Sequence, residues 1–118
     1  MPDNIFKKAL KIAKTLSYQK YKLVAIITDK KGKVLSFGVN SFEKSHPTQA
    51  YYAEKEGLYH KIYLHAEISA IISLPDECTP YAIYILRVNN KNEKMLAKPC
   101  KICERAIRDV GIQKVYHT

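Results

Sequence analysis

Hydrophobic spacing along the chain switches several times between a helical and an extended period, and each switch marks an element. Ile5, Phe6, Ala9, Leu10, Ile12, Ala13 and Leu16 gather on one side of a helix wheel drawn at about 100° per residue; Lys7, Lys8, Lys11 and Lys14 gather on the other. Asp3 or Asn4 can cap this helix, which the pattern carries to about Ser17. Lys22–Thr28 (KLVAIIT) is a β-branched apolar run that reads as a buried strand. Asp29-Lys30-Lys31-Gly32 is a turn, and Lys33–Val39 returns as the second arm of a hairpin. Gly38 permits close approach of another group to that strand, and Asn40 offers both a donor and an acceptor at its end.

Phe42–Leu64 is the least regular stretch; Pro47 can open a short helix over Thr48–Glu56 that Gly57 ends. His65 begins a helix of about ten residues with Ile68, Ile71, Ile72 and Leu74 on its apolar side, and Pro75 stops it. Tyr81–Val88 (YAIYILRV) is apolar on both faces and predicts a central strand. Asn89–Glu93 is a turn. Pro99 suits the first turn of a helix running to Asp109, which Gly111 closes. Gln113–Tyr116 is a short last strand, joined through that helix and so parallel to the strand before it. The order predicts an α/β fold: a three-layer α-β-α sandwich on a mixed sheet of four to five strands.

Composition narrows the classes. With 118 residues, 47% of them hydrophobic, the chain is expected to form one domain over residues 1–118 around one core. There is no run of about eighteen apolar residues, and the charged N-terminus lacks the apolar block of a secretory signal. Three cysteines are too few and too odd for a disulfide framework, so a reducing compartment and a cytoplasmic location are expected, with no membrane partner. Residues 1–33 hold nine lysines against Asp3 and Asp29, a net of +7 out of the total of +9. Such a surface favours anionic partners, whether nucleotide, nucleic acid or anionic membrane. The lysine stripe nevertheless reads first as the solvated side of an amphipathic helix, with a phosphate-contacting face as the functional alternative. A membrane-surface helix fits less well, because the segment is short and has no tryptophan. Tyr51, Tyr52, Tyr59 and Tyr63 could stack on bases, but most of the nine tyrosines are expected to pack.

The chemistry gathers in Leu64-His65-Ala66-Glu67-Ile68 and Lys98-Pro99-Cys100-Lys101-Ile102-Cys103. One imidazole and two sulfurs make a mixed set for one Zn2+ ion, and three protein ligands leave a fourth position for water, as in catalytic zinc sites. Cys100 and Cys103, three apart at a helix start, share a face, and a helix N-terminus favours thiolate. Glu67 is close enough to the histidine to reach that water without ligating. A structural zinc site with a fourth ligand from Cys78, His46, His60 or His117 would leave Glu67 idle, and Cys78 reads as an ordinary buried thiol. A chance pairing of His-x-Glu with a redox Cys-x-x-Cys is the other competing reading.

These two motifs together, with Gly38-Val39-Asn40 and the ending Gly111-Ile112-Gln113-Lys114-Val115-Tyr116, make the chain resemble the zinc-dependent cytidine/deoxycytidylate deaminase superfamily. The resemblance runs from the first strand to the last. It implies a mixed sheet of about five strands flanked by helices, and hydrolytic removal of ammonia from an aminopyrimidine or aminopurine ring. It implies that His65, Cys100 and Cys103 bind zinc and that Glu67 shuttles protons, first from water and then to the ring nitrogen and the departing amine. It further implies that Asn40 holds the sugar and the Ala66 backbone touches the base. Lys44, His46 and Pro99 join the expected substrate-binding set, and Lys98 and Lys101 could meet a phosphate.

Two departures from the resemblance carry information. Asn89–Lys98 intervenes before the cysteine motif and is expected to form an extended hairpin, and Phe42–Leu64 is expected to overhang the pocket. A fifth strand and terminal helix of the kind found in tRNA-type members are expected to be absent or supplied otherwise. The expected substrate is a cytosine nucleoside or nucleotide such as dCMP or CMP. The alternative is a polynucleotide deaminase acting on single-stranded DNA or RNA or a tRNA adenosine. A binding module with a degenerate site is a third class, which the intact Glu67 argues against. A homo-oligomer is expected from the resemblance.

Overall fold

A computed structural model describes residues 2–16, 21–41, 45–58 and 64–118. The elements run α1 (Pro2–Thr15), β1 (Tyr21–Thr28), β2 (Val34–Val39), α2 (Pro47–Lys55), α3 (Ala66–Ile72), β3 (Ala82–Asn89), β4 (Lys94–Met95), α4 (Lys101–Asp109) and β5 (Lys114–His117). Together the strands form a five-stranded mixed sheet. β1 pairs antiparallel with β2 on one side and β3 on the other, which makes β1 and β3 the central strands. The far edge of β3 is shared: Ala82–Ile85 run parallel to β5, whereas Arg87 and Val88 pair antiparallel with Met95 and Lys94 of β4. Thr118 joins the two short strands, since its backbone N donates to the Ile85 carbonyl at 3.0 Å and its hydroxyl donates to the Met95 carbonyl at 2.6 Å.

Alternation along the central strands sorts the core into two faces. Val24 and Ile26 of β1 with Tyr84, Leu86 and Val88 of β3 meet Ile5, Ala9 and Ala13 of α1. Ala25, Ile27, Ile83 and Ile85 point the other way, against Ala66 and Ala70 of α3 and Ile107 of α4. The predicted α-β-α layering is thus present, with α1 the one helix on that face among the described residues. α2 lies on the outside of α4 and α3, where Ala53 joins Ile68, Ile102, Cys103 and Ala106 in a smaller cluster. Tyr52 and Glu56 tie α2 to α4 through Asp109 and Arg105. Among the described residues, no helix is long and apolar enough to cross a membrane.

Three expectations need correction. α3 has seven residues rather than about ten and ends at a Ser73 cap, since the residue preceding Pro75 is driven from helical geometry. Its buried face is Ala66, Glu67, Ile68 and Ala70, while Ile72 is 37% exposed. α4 starts at Lys101, so Pro99 lies outside the helix and Cys100 is its N-cap in extended geometry. The expected hairpin after β3 is present, short, with β4 as its return.

Candidate metal centre

Two helix starts bring the ligand set together. His65 caps α3 and Cys100 caps α4, both with extended backbone, so each side chain leaves just before its helix begins. Cys103, three residues on, is buried on the same side of α4. His65 Nδ1 lies 3.3 Å from Cys103 Sγ and 3.6 Å from Cys100 Sγ. A tetrahedral zinc with Zn–N of about 2.0–2.1 Å and Zn–S of about 2.3 Å separates a ligating nitrogen and sulfur by about 3.6 Å. The donors already stand near the edges of that tetrahedron, and among the described residues they are the one group of three able to hold a metal ion. The residues fit zinc.

Charge in the metal-free cluster is shared unequally. Cys103, donating to Cys100, holds the Cys100 thiol down at about 3, helped by a hydrogen bond with His65. The same hydrogen bond to Cys100, with burial, pushes Cys103 well above the ordinary thiol range. The pair therefore holds one proton at neutral pH, and a metal ion would displace it. Glu67 is 5% exposed and in hydrogen-bonding contact with Cys103. Burial drives its pKa upward, opposed by local hydrogen bonds and the His65 imidazole. A buried carboxyl group whose pKa is raised beside a metal site is suited to carrying protons.

The strand ends hold this arrangement in place. At Gly38 a Cβ would come within 2.3 Å of the Ala70 nitrogen, 2.5 Å of the Ala66 carbonyl oxygen and 2.6 Å of Ser69 Cβ. Glycine is what lets α3 lie directly on β2, as its position suggested. Ser36, two residues earlier on the same face, donates to the Ala70 carbonyl at 2.8 Å. Asn40 continues the β1–β2 pairing: its Oδ1 accepts from Leu23 N at 2.8 Å, and its buried Nδ2 has no hydrogen-bond partner among the described residues.

The other predicted positions separate into groups. His46 caps α2, its Nδ1 accepting from Thr48 N at 3.0 Å, and is outside the metal group. Ala66 is fully buried at the start of α3. Pro99 and Lys98 line a groove of about 380 Å³ between α4 and β5, with Arg108 and His117. The exposed Lys101 opens α4. Lys44, His60, Tyr59 and Tyr63 lie outside the described residues. Cys78 donates to the Pro75 carbonyl, away from the cluster. Tyr84 and Tyr116 stack at 4.9 Å and Tyr52 is tied to Asp109, as packing tyrosines. The exposed Lys7, Lys8, Lys11 and Lys14 sit on α1, across the sheet from α3 and α4. The sequence reading missed Gln49, whose fully buried Oε1 accepts from the His65 backbone N at 3.1 Å.

The sequence signature described as the cytidine and deoxycytidylate deaminase zinc-binding region matches residues 2–118. No curated protein sequence matches the chain significantly. Among solved structures, the cytidine deaminase from Mycobacterium leprae aligns with a TM-score of 0.62 at 19% identity, over 95% of this chain and 84% of that one. The cytidine deaminase from Mycobacterium tuberculosis gives 0.55 at 17% identity, over 95% and 79%. At such identities these two likenesses concern the fold. The signature spans nearly all of the sequence and includes the histidine and both cysteines of the metal group, and on that ground the chain belongs to the cytidine and deoxycytidylate deaminase zinc-binding family.

Proposed function

We propose that this chain, acting as one deaminase domain over residues 1–118, hydrolyses the exocyclic amine of a free cytosine nucleoside or nucleotide. The observation that carries the reading is Glu67, a buried carboxyl beside Cys103 in a three-donor metal group. A structural zinc site would gain nothing from a carboxyl buried there at the cost of its hydration. Zinc, when bound by His65, Cys100 and Cys103, supplies activation of water at neutral pH. Glu67 accepts a proton from the attacking water and passes it to the ring nitrogen; it then takes the remaining proton of the newly added hydroxyl and passes it to the leaving amine, so that the ring carbonyl forms as ammonia departs. The Asn40 Nδ2, a buried donor with no partner among the described residues, would take a hydroxyl of the sugar in this reading. The buried Ala66 offers its backbone to the base, and His46, Pro99 and Lys44 complete the proposed substrate contacts.

The position of the basic helix supports a small substrate. The α1 lysines lie on the sheet face opposite α3 and α4, so a polynucleotide held by them would be led away from Glu67. The deciding experiment measures ammonia release from cytidine, CMP, dCMP, dCTP, adenosine, guanine and single-stranded oligonucleotides, with bound zinc quantified in the same preparation. Release confined to free cytosine compounds is the expected result. Turnover of oligonucleotides alone would overturn the substrate class, and a zinc-loaded protein inert on every compound would overturn the activity.

A further inference from the structure

We propose that Gln49 is a positioning residue of the metal centre, fixing the peptide that carries His65. It is the most deeply buried polar side chain among the described residues, at 0% exposure. A carboxamide is costly to bury unless it is hydrogen-bonded, and its Oε1 accepts from His65 N at 3.1 Å. The other end of that same peptide unit is also held: the Leu64 carbonyl accepts from Ser41 N at 2.9 Å. The plane preceding the ligand is therefore pinned on one side by the chain leaving β2 and on the other by α2. Its orientation sets the direction of the His65 Cα–Cβ bond, and with it where Nδ1 stands relative to the two sulfurs.

α2 is anchored on the opposite partner. Ala53 packs with Ile102, Cys103 and Ala106 of α4, Glu56 pairs with Arg105, and Tyr52 donates to Asp109 at 2.9 Å. His46 and Pro47 fix where the helix begins, the imidazole Nδ1 accepting from Thr48 N. The helix that rests on the cysteine-bearing element thus reaches the histidine through Gln49. Gln49 couples the two halves of the ligand set, so the α2 segment is part of the metal centre without supplying a ligand. Groups that orient a ligand in this way typically govern metal affinity by about 10–100-fold.

The proposal rests on the metal group and not on the substrate, so a failed substrate panel leaves it standing. Its test compares full-length Gln49→Met, similar in size but without an acceptor, with Glu56→Gln, which loosens α2 on α4 without touching His65. Zinc affinity is read by chelator competition and site geometry by the absorption spectrum of the cobalt-substituted protein. Gln49→Met should weaken zinc binding by about tenfold or more and shift the cobalt bands, whereas Glu56→Gln, which leaves the Gln49 bond and the Tyr52 and Ala53 contacts of α2 in place, should lose clearly less affinity. Wild-type affinity and spectrum in Gln49→Met would overturn the proposal, as would an equal loss in Glu56→Gln. Should Gln49→Met not fold, Gln49→Glu keeps an acceptor at the same place and should retain the wild-type cobalt spectrum. Altered bands there would overturn it too.

Discussion

Replacing Gly38 with alanine asks whether the contact of α3 on β2 sets the metal geometry. Ordinary van der Waals contacts of a Cβ lie at 3.4–4 Å, and the new methyl would meet α3 atoms at 2.3–2.6 Å. Two of the three nearest atoms are backbone and the third is a Cβ, so no rotamer change relieves the overlap. The helix itself must move by about 1 Å. Overpacking of this kind costs about 1–3 kcal/mol, and the rigid neighbours put it at the upper end. Removing glycine from an unfolded chain offsets about 0.5–1 kcal/mol. The net loss is about 2 kcal/mol, which for a domain of this length lowers the melting temperature by about 6–10 °C. His65 and Glu67 travel with α3 while the cysteines stay on α4, and metal sites tolerate only about 0.2 Å. Zinc affinity should therefore fall at least about tenfold. Thermal melts of metal-free protein and chelator competition read the two effects separately. Melting within about 2 °C of wild type with unchanged zinc affinity would refute the reasoning.

Three other outcomes follow from the same geometry. Glu67→Gln should keep zinc and the fold, melt no lower than wild type because a buried carboxyl is relieved of its desolvation, and lose about 10²–10⁴ in turnover; near wild-type ammonia release would remove Glu67 from the chemistry. Because the metal-free cysteines share one proton, with Cys103 above the usual thiol range and Cys100 held at about 3, zinc uptake should release about one proton and its log affinity should rise by about one per pH unit between about pH 6 and 8; a flat profile in buffered chelator competition would contradict this. Ser36→Ala should cost about 1 kcal/mol by leaving the Ala70 carbonyl without its buried donor, and a melting temperature equal to wild type would show the bond to be idle.

What the sequence disclosed and what it hid differ in kind. β1 and β3 were legible because both are apolar on both faces, and a strand buried on two sides leaves that mark in composition. The histidine and cysteines were legible because metal ligation needs particular atoms at short spacings. On and just after helix α3, Ile68, Ile71 and Leu74 pack as their spacing predicts, but Ile72, which looks like core, is exposed, and Glu67, which looks like surface, is buried. Hydrophobic periodicity cannot see a polar group buried for its chemistry. Gln49 was hidden for a related reason, since a glutamine among Thr48, Tyr51 and Glu54 resembles any exposed helix position. Its partner is a backbone amide sixteen residues away, which no local pattern encodes.

The ligand set is drawn from two halves of the chain that have separate supports. His65 is carried by α3, which is seated on β2 through Gly38 and Ser36; the cysteines are carried by α4, whose Ile107 packs with Ile83 and Ile85 beneath the sheet. Among the described residues the two helices meet through the cluster of Ile68, Ile102, Cys103 and Ala106, with Ala53 of α2 completing it. Packing of the two helices brings the His65 nitrogen to 3.3 and 3.6 Å from the two sulfurs. Because each helix is seated by its own packing, folding of the chain contributes to gathering the ligands, in contrast to small domains that fold only on metal binding. What zinc must displace is one proton from a thiol pair. Among the described residues three protein donors converge, the number that leaves one tetrahedral position for water and that marks catalytic rather than structural zinc sites.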